Sequence, residues 1–162
     1  GNETTTNWIS NQLNILARRP DLWKACREDR SLVPLALEEV LRFDAPVQNL
    51  GRETTRDVEI RGVTIPTGSR VVVSFGAANR DPEIFEAPDV YRLDRGDYRH
   101  LAFGQGRHFC LGAGLARMEG RIALEALLDR FEQIEPGTAP SPRLHSTVIR
   151  GFDALPLTGR SA

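Results

Sequence analysis

The sequence predicts a mainly α-helical protein with small β-sheets, on the basis of three observations. Apolar residues recur at helical spacing in three segments near the start of the chain and in one long segment of its second half. Short alternating runs rich in valine and isoleucine fill residues 58–74, which predicts a few short strands. Residues 80–100 carry prolines, a glycine and many charges without clear periodicity, which predicts a long irregular segment.

Three short helices are predicted near the start of the chain. The first contains apolar residues at helical spacing and ends at Pro20. Residues 21–28 form the second, and the third begins at Ser31 and ends before Pro46, because proline disfavours a helical conformation at the residue before it. The apolar positions of the first and third helices are Trp8, Ile9, Leu13, Leu16, Ala17, Leu35, Leu37, Val40 and Leu41.

Short strands follow these helices, and a long helix lies nearer the end of the chain. Val58–Ile60 and Val63–Ile65 flank a turn, which predicts a hairpin, and Arg70–Ser74 forms a further strand. The long helix is predicted to end at Pro136, and residues 141–157 predict one or two short strands. The apolar face of the long helix comprises Leu111, Leu115, Met118, Ile122 and Ala126.

Composition narrows the possible functions of the 162-residue chain. With 21 basic and 22 acidic side chains, the formal charge of −1 excludes a basic nucleic-acid arm and a strongly acidic tail. No apolar run reaches the roughly eighteen residues that a membrane-spanning helix needs. We therefore expect neither a nucleic acid nor a membrane as a partner. Cys26 and Cys110 cannot form a disulfide framework, which favours a reducing compartment and a cytoplasmic location.

Cys110 lies in the glycine-rich string Phe103-Gly104-Gln105-Gly106-Arg107-His108-Phe109-Cys110-Leu111-Gly112. Glycines allow backbone amides to point at the sulfur, and the positive end of the following helix favours a thiolate, which can ligate a soft or borderline metal. An inert buried cysteine is the commoner case and stays an alternative. A zinc site would require a second cysteine or a histidine nearby. His108 is close to Cys110, but the string contains no partner cysteine. A single thiolate suits haem iron better.

The same string matches every fixed position of Phe-x-x-Gly-x-x-x-Cys-x-Gly, and in this it resembles the cytochrome P450 family of haem-thiolate monooxygenases. It is most similar to the soluble bacterial members, which have a histidine two residues before the cysteine. The resemblance implies that Cys110 is the axial ligand of haem b (iron protoporphyrin IX), that Phe103 shields the sulfur and that His108 donates to a haem propionate. The implied cofactor-binding residues also include Gly104, Gly106 and Gly112.

Glu39 and Arg42 lie three residues apart on one face of the third predicted helix. In isolation such a pair is a solvated ion pair worth about 0.3–0.5 kcal/mol. The resemblance implies instead a buried triad, because the family's Glu-x-x-Arg pairs with an arginine of the irregular segment, and Arg95 occupies the matching place. Such a triad would lock the haem loop, so its role is structural rather than chemical.

Gly1-Asn2-Glu3-Thr4 resembles most of the family's Ala/Gly-Gly-x-Asp/Glu-Thr signature in the long distal helix. Without the cysteine loop, these residues would favour a helix cap. With it, Glu3 and Thr4 are the implied catalytic residues, an acid and a hydroxyl that deliver protons to iron-bound dioxygen. Because the chain opens without methionine and runs directly into a helical pattern, we expect a truncated chain.

Three further roles follow from the resemblance. Arg52 would bind a haem propionate, since an arginine of this extended segment does so in bacterial relatives. Two short regions would contact the substrate, although core packing would equally explain the apolar residues of the second. These regions are Val47, Gln48 and Asn49, and Val148 and Ile149. Arg107, Arg117 and Arg121 are either solvated charges or a basic patch for an acidic electron donor such as a ferredoxin.

The resemblance covers nearly all of residues 1–162 and identifies them as a partial cytochrome P450 domain, the C-terminal half of the fold with its N-terminal part absent. The matching order is distal-helix remainder, Glu-x-x-Arg helix, β-hairpins, meander, ligand loop, long helix and terminal strands. The implied function is activation of O2 at the haem and oxidation of a small organic substrate with NAD(P)H-derived electrons. The alternatives are a truncated, inactive haem-binding or interaction fragment, and a zinc or thiol-redox protein.

Overall fold

Four helices pack against one another and form the main body of the protein in the computed structural model, which describes residues 2–96 and 98–161. Gly1, part of the predicted distal-helix signature, lies outside the described residues. The four helices are α1 (Glu3–Arg18), α2 (Pro20–Glu28), α3 (Leu32–Phe43) and α5 (Ala113–Arg130), and a single turn, α4 (Phe75–Ala78), lies between them in sequence.

Three small antiparallel sheets lie around these helices, each with two strands in the described part of the chain. β1 pairs with β4 so that Gly51 faces Val72, β2 pairs with β3 as the predicted hairpin, and β5 pairs with β6. The strands are β1 (Asn49–Glu53), β2 (Val58–Ile60), β3 (Val63–Ile65), β4 (Arg70–Ser74), β5 (Phe131–Pro136) and β6 (Leu157–Ser161). The prediction of a mainly helical protein with small sheets is therefore confirmed.

Large aromatic side chains connect the helices to the rest of the core. Trp8 and Trp23 are each 1% exposed, and the Trp23 indole donates a hydrogen bond to the carbonyl of Glu132 at 3.0 Å. Tyr91, from the irregular segment, donates from its hydroxyl to the carbonyl of Ala36 at 2.9 Å. The polar tips of Trp23 and Tyr91 thus each have a partner on another element, which fixes β5 and the irregular segment against the helices, whereas the buried indole nitrogen of Trp8 has no hydrogen-bond partner among the described residues.

The predicted end of the long helix is wrong. α5 ends at Arg130, and the next residues, up to Pro136, form β5 rather than another helical turn. The apolar and polar residues of this segment do not alternate, and β6 supplies the hydrogen-bonding partners of the strand. A partner strand that lies far along the chain outweighs local helical preference.

The predicted apolar face of α5 is exposed in this structure. Its four large side chains are more than half exposed: Leu111 103%, Leu115 55%, Met118 54% and Ile122 60%. The opposite face is buried through Ala113, Gly120, Leu124 and Leu128. Periodicity therefore identified the helix but not the side that packs on α1 and α3. Within the described residues, no helix is long and apolar enough to cross a membrane.

Candidate functional site

A cavity of about 970 Å³ lies between the N-terminal turns of α1, the β1–β4 sheet and the loop before α5. The loop contributes Phe103, Gly104, His108, Cys110 and Gly112, and the sheet contributes Leu50, Arg52 and Val73. The α1 side is formed by Asn2, Thr4, Thr5 and Trp8. Three segments that are distant in sequence therefore contribute to one cavity, whose volume suits a large organic group.

The loop that carries Cys110 is closed by backbone hydrogen bonds. The Cys110 amide donates to the carbonyl of Phe103 at 2.8 Å, and the Gly104 amide donates to the carbonyl of Leu101 at 2.8 Å. Gly104 and Gly106 have positive φ angles of 70° and 69°, which other residues rarely adopt. These two glycines allow the chain to fold back, so the sulfur lies at the cavity and just before the N-terminus of α5.

The two cysteines lie in opposite environments. Cys26 is 0% exposed in the helical core, and burial raises the pKa of its thiol to about 11, so it stays protonated. Cys110 is exposed and lines the cavity. The alternative of an inert buried cysteine therefore describes Cys26 and is wrong for Cys110.

The donor set around the cavity fits a haem better than a zinc ion. Among residues 2–96 and 98–161, no group of three or more His, Cys, Asp and Glu side chains could hold a metal ion. Cys110 is thus offered as a lone ligand, which haem iron accepts and a structural zinc site does not. Arg52 and His108 line the same cavity and offer donors for the carboxylates of such a group.

Of the two predicted catalytic residues, Thr4 lines the cavity, whereas Glu3 begins α1 outside the cavity lining. Both lie in the first helical turn. The side chain of Asn2, at the N-cap position, makes no capping hydrogen bond. The helix-cap alternative for these residues is therefore not supported, and the Thr4 hydroxyl stays available on the cavity side.

Glu39, Arg42 and Arg95 come together in the interior. Arg42 donates to both carboxylate oxygens of Glu39, from Nε and Nη2, each at 2.8 Å, and both side chains are 0% exposed. Arg95 donates from Nε to the same carboxylate at 3.2 Å. Arg42 also donates to the carbonyls of Asn79 and Pro88, at 3.0 and 2.8 Å. The alternative of a solvated pair is wrong, because one buried carboxylate joins two arginines.

The two predicted substrate regions are joined by main-chain pairing. Val47 and Ile149 form an antiparallel bridge, and the Gln48 amide donates to the carbonyl of Val148 at 2.9 Å. Val47 lines the cavity, whereas Gln48, Asn49, Val148 and Ile149 do not. Gln48 instead donates from its side chain to the carbonyl of Ala45 at 2.7 Å. The structure thus brings the two regions together but places one of the five side chains at the cavity.

Two of the three arginines predicted for a basic patch are paired. Arg117 donates from Nε to Glu38 at 2.6 Å, and Arg121 donates to Glu125 at 2.8 Å on the same helix. Arg107 is exposed in the loop. Arg117 is therefore not a simply solvated charge, because its guanidinium is hydrogen-bonded to a carboxylate of α3.

Glu38 and His100 were missed by the sequence analysis. Glu38 accepts hydrogen bonds from Arg117 and, at 3.0 Å, from Nε2 of His100. Burial raises the pKa of the Glu38 carboxyl, but the hydrogen bonds from Arg117 and His100 outweigh it and hold that pKa at about 2. The available signal was a pair of adjacent acids, Glu38-Glu39, in a helix whose other residues are apolar except for Arg42.

Comparison with known proteins gives one consistent family. Residues 1–155 match the family model described as Cytochrome P450. The chain is 44% identical over 159 residues to the Putative cytochrome P450 140 of Mycobacterium tuberculosis, covering 98% of this chain and 36% of that protein. It is 44% identical over 160 residues to Cytochrome P450 107B1 of Saccharopolyspora erythraea, covering 97% of this chain and 40% of that protein.

A solved structure shows the same architecture. CYP109E1 from Bacillus megaterium, in complex with corticosterone, superposes with a TM-score of 0.94 at 40% identity and covers 99% of this chain and 43% of that one. The expected correspondence to the C-terminal half of that fold is confirmed. The chain therefore spans 36% and 40% of the length of the two curated relatives described above.

Proposed function

The chain belongs to the cytochrome P450 family, and from that premise we propose that residues 1–162 are a partial domain that holds haem b for a bacterial monooxygenase. One observation carries the proposal: the Cys110 loop and the first turn of α1 line the same cavity of about 970 Å³. A thiolate on one side and a hydroxyl-bearing helix on the other are what oxygen chemistry at a haem requires.

The loop and the sheet provide the groups that would hold the cofactor. Cys110 is the residue that would bind the iron, and its position before the N-terminus of α5 places the sulfur near the positive end of a helix. Phe103 lines the cavity next to it, and Gly104, Gly106 and Gly112 give the loop its shape. Arg52 and His108 are the proposed partners of the two propionates, through charge-assisted hydrogen bonds.

When bound, a haem would supply the oxygen chemistry, in which one atom of O2 would enter a small organic substrate and the other would leave as water, with two protons and with two electrons that originate in NAD(P)H. The chain's own task is to control protons and water. Thr4, which lines the cavity, would supply the hydroxyl of a proton relay, and Glu3, one residue earlier in α1, would supply its acid. The proposed structural triad of Glu39, Arg42 and Arg95 would keep the loop in register with α3.

The proposed partners are a small organic substrate, O2 and a ferredoxin or similar electron donor. Val47 at the cavity, with Gln48, Asn49, Val148 and Ile149 beside it, would form part of the substrate boundary. Exposed Arg107 and the half-exposed Arg117 lie on the loop and the helix after it, where an acidic donor would approach Cys110. A reducing cytoplasm suits two free thiols.

The test is the absorption spectrum of the haem-loaded protein, reduced and saturated with carbon monoxide. We expect the red-shifted Soret band of thiolate-ligated haem, its loss in Cys110→Ala and its retention in the control Cys26→Ala. Retention of the band in Cys110→Ala would remove the ligand assignment. A zinc or thiol-redox protein would show no such band.

A second candidate function is a catalytically inactive haem-binding or interaction fragment. It is favoured by the exposure of Cys110 and by the 53% exposure of Phe109, which leave one side of the cavity loop in solvent. On this basis we expect little or no monooxygenase turnover from the isolated 162-residue chain. Turnover by that chain with a redox partner would contradict this second function.

A further inference from the structure

The side chain of Glu38 joins two elements on either side of the Cys110 loop. Its carboxylate accepts hydrogen bonds from Nε and Nη2 of Arg117 at 2.6 and 2.9 Å, and from Nε2 of His100 at 3.0 Å. Arg117 belongs to α5, after the loop, and His100 precedes the loop. The Glu38 side chain is 20% exposed and that of His100 is 2% exposed, so the bond between them is poorly screened by water, whereas Arg117, at 41% exposure, is partly screened.

The hydrogen bonds around His100 assign the tautomer of its ring. Nδ1 accepts a hydrogen bond from the Ala102 amide at 3.3 Å, so the proton of a neutral ring is on Nε2 and is donated to Glu38. The next residue, Leu101, donates its amide to Oδ1 of Asn79 at 2.6 Å. The chain that leads into the ligand loop is therefore fixed by a carboxylate of α3 and an amide side chain of the residue after α4.

The two partners of Glu38 both contact the ring of Phe103. The guanidinium carbon of Arg117 lies 4.6 Å from the centroid of that ring, within cation–π distance. The His100 ring lies 6.1 Å away at an angle of 48°, and the Phe109 ring lies 6.4 Å away at 57°. Arg117 and His100, the two groups that donate to Glu38, thus both pack against the Phe103 ring.

Phe103 is in turn connected to the sulfur-bearing residue. Its carbonyl accepts the Cys110 amide at 2.8 Å, and its ring lines the cavity at which Cys110 lies. The hydrogen bond to Glu38 raises the pKa of the Arg117 guanidinium, which keeps its charge beside the Phe103 ring.

We propose that Glu38 is a positioning residue for the thiolate: through Arg117 and His100 it fixes the Phe103 ring and the closing hydrogen bond of the Cys110 loop, and so sets the environment of the sulfur. This inference rests on the proposed ligand role of Cys110. It assigns to Glu38 a role distinct from that of its neighbour Glu39, whose carboxylate points to Arg42 and Arg95 instead.

The test compares the variants Glu38→Gln and Arg117→Lys with the control variant Glu125→Gln, each made in the whole chain. Arg117→Lys keeps the charge but loses the planar group that both pairs with Glu38 and lies over Phe103. Glu125→Gln is the matched control, because it removes the partner of Arg121 on the same helix without contact to Phe103.

The first readout is hydrogen exchange at the Cys110 amide, which needs no haem signal. Loss of a charge-assisted bond predicts exchange about ten- to a hundredfold faster in Glu38→Gln and Arg117→Lys, with no change in Glu125→Gln. The second readout is the haem reduction potential and the share of protein that keeps the red-shifted band, which we expect to change in the same two variants.

Unchanged exchange at Cys110 in either variant that folds as the native protein does would overturn the proposal, whatever the spectrum. Faster exchange with an unchanged potential and band would also overturn it, since the effect on the sulfur's environment would be missing. If the native protein lacks the red-shifted band altogether, the proposed function fails, and the exchange rates still decide whether Glu38 holds the loop.

Discussion

The indole of Trp8 lies against the backbone of Gly120: a β-carbon at Gly120 would stand 2.7 Å from the ring atoms Cζ3 and Cη2. At this contact α1 meets α5. Residues of α1 line one side of the cavity, and α5 follows the ligand loop. Because Trp8 is 1% exposed, the ring cannot move into solvent to relieve an overlap.

We therefore expect Gly120→Ala to lower the free energy of unfolding by about 1–3 kcal/mol, measured by urea denaturation. The matched control is Gly114→Ala in the same helix, where a β-carbon would meet nothing within 4 Å. There the better helix propensity of alanine predicts a gain of up to about 1 kcal/mol. Equal effects at the two positions would contradict the close approach of the two helices.

The buried triad gives a second prediction. Glu39→Gln removes the charge that Arg42 and Arg95 share, so two buried cations lose their counter-ion and the free energy of unfolding falls by about 3–5 kcal/mol. The control Glu83→Gln removes the exposed partner of Arg61 and is expected to change stability little. If denaturation gave the same stability for Glu39→Gln and the native protein, the triad would not hold the fold.

Glu38 makes stability depend on pH in the acid range. Its pKa is about 2, below the ordinary value of 4.5, so the folded state binds the proton less readily than the unfolded state does. The stabilisation is complete above about pH 4.5 and disappears as the pH falls to about 2, a loss on the order of 2–3 kcal/mol. Denaturation at a series of pH values measures it, and Glu38→Gln should flatten the curve over that window. An equally steep curve in the variant would assign the effect to other carboxylates.

Thr4 provides a prediction about proton delivery. In a full-length cytochrome P450 that contains this chain, loaded with haem and supplied with a redox partner and a substrate, Thr4→Ala should slow product formation about a hundredfold, because a group that conducts protons is lost. Its red-shifted Soret band should be unchanged, since Thr4 is not the ligand. Thr6→Ala is the control, because that hydroxyl donates to the carbonyl of Asn2 and lies outside the cavity lining. A native rate in Thr4→Ala would sink the proposed role.

The sequence predicted the elements of the fold whose signals are local. Helix periodicity located α1 and α3, and the alternation around a glycine turn located the β2–β3 hairpin. It did not reveal β5, whose pairing depends on β6 at the other end of the tail. It also did not reveal which face of α5 is buried, because that depends on how α5 packs against α1 and α3. The residue of α5 at the contact with Trp8 is Gly120 rather than a large side chain.

Within the candidate site, the ligand loop was predictable because its residues are contiguous and their chemistry is restrictive. Glu38 and His100 were not, since they are 62 residues apart in sequence and neither belongs to a motif. For Arg117 the sequence could indicate a charge on a helix but not its carboxylate partner on α3. The roles assigned to Arg52, His108, Glu3 and Thr4 stay predictions.

The pairing of Val47 with Ile149 has a consequence for the shape of the cavity. Main-chain bonds connect the two stretches, and Asn49 adds a side-chain bond to the carbonyl of Thr147 at 2.6 Å. Arg143 and Arg150, on either side of this stretch, both pair with Asp44 at the end of α3. A substitution that shifts the main chain at Ile149, which lies outside the cavity lining, should therefore also move Val47 and change the volume of the cavity.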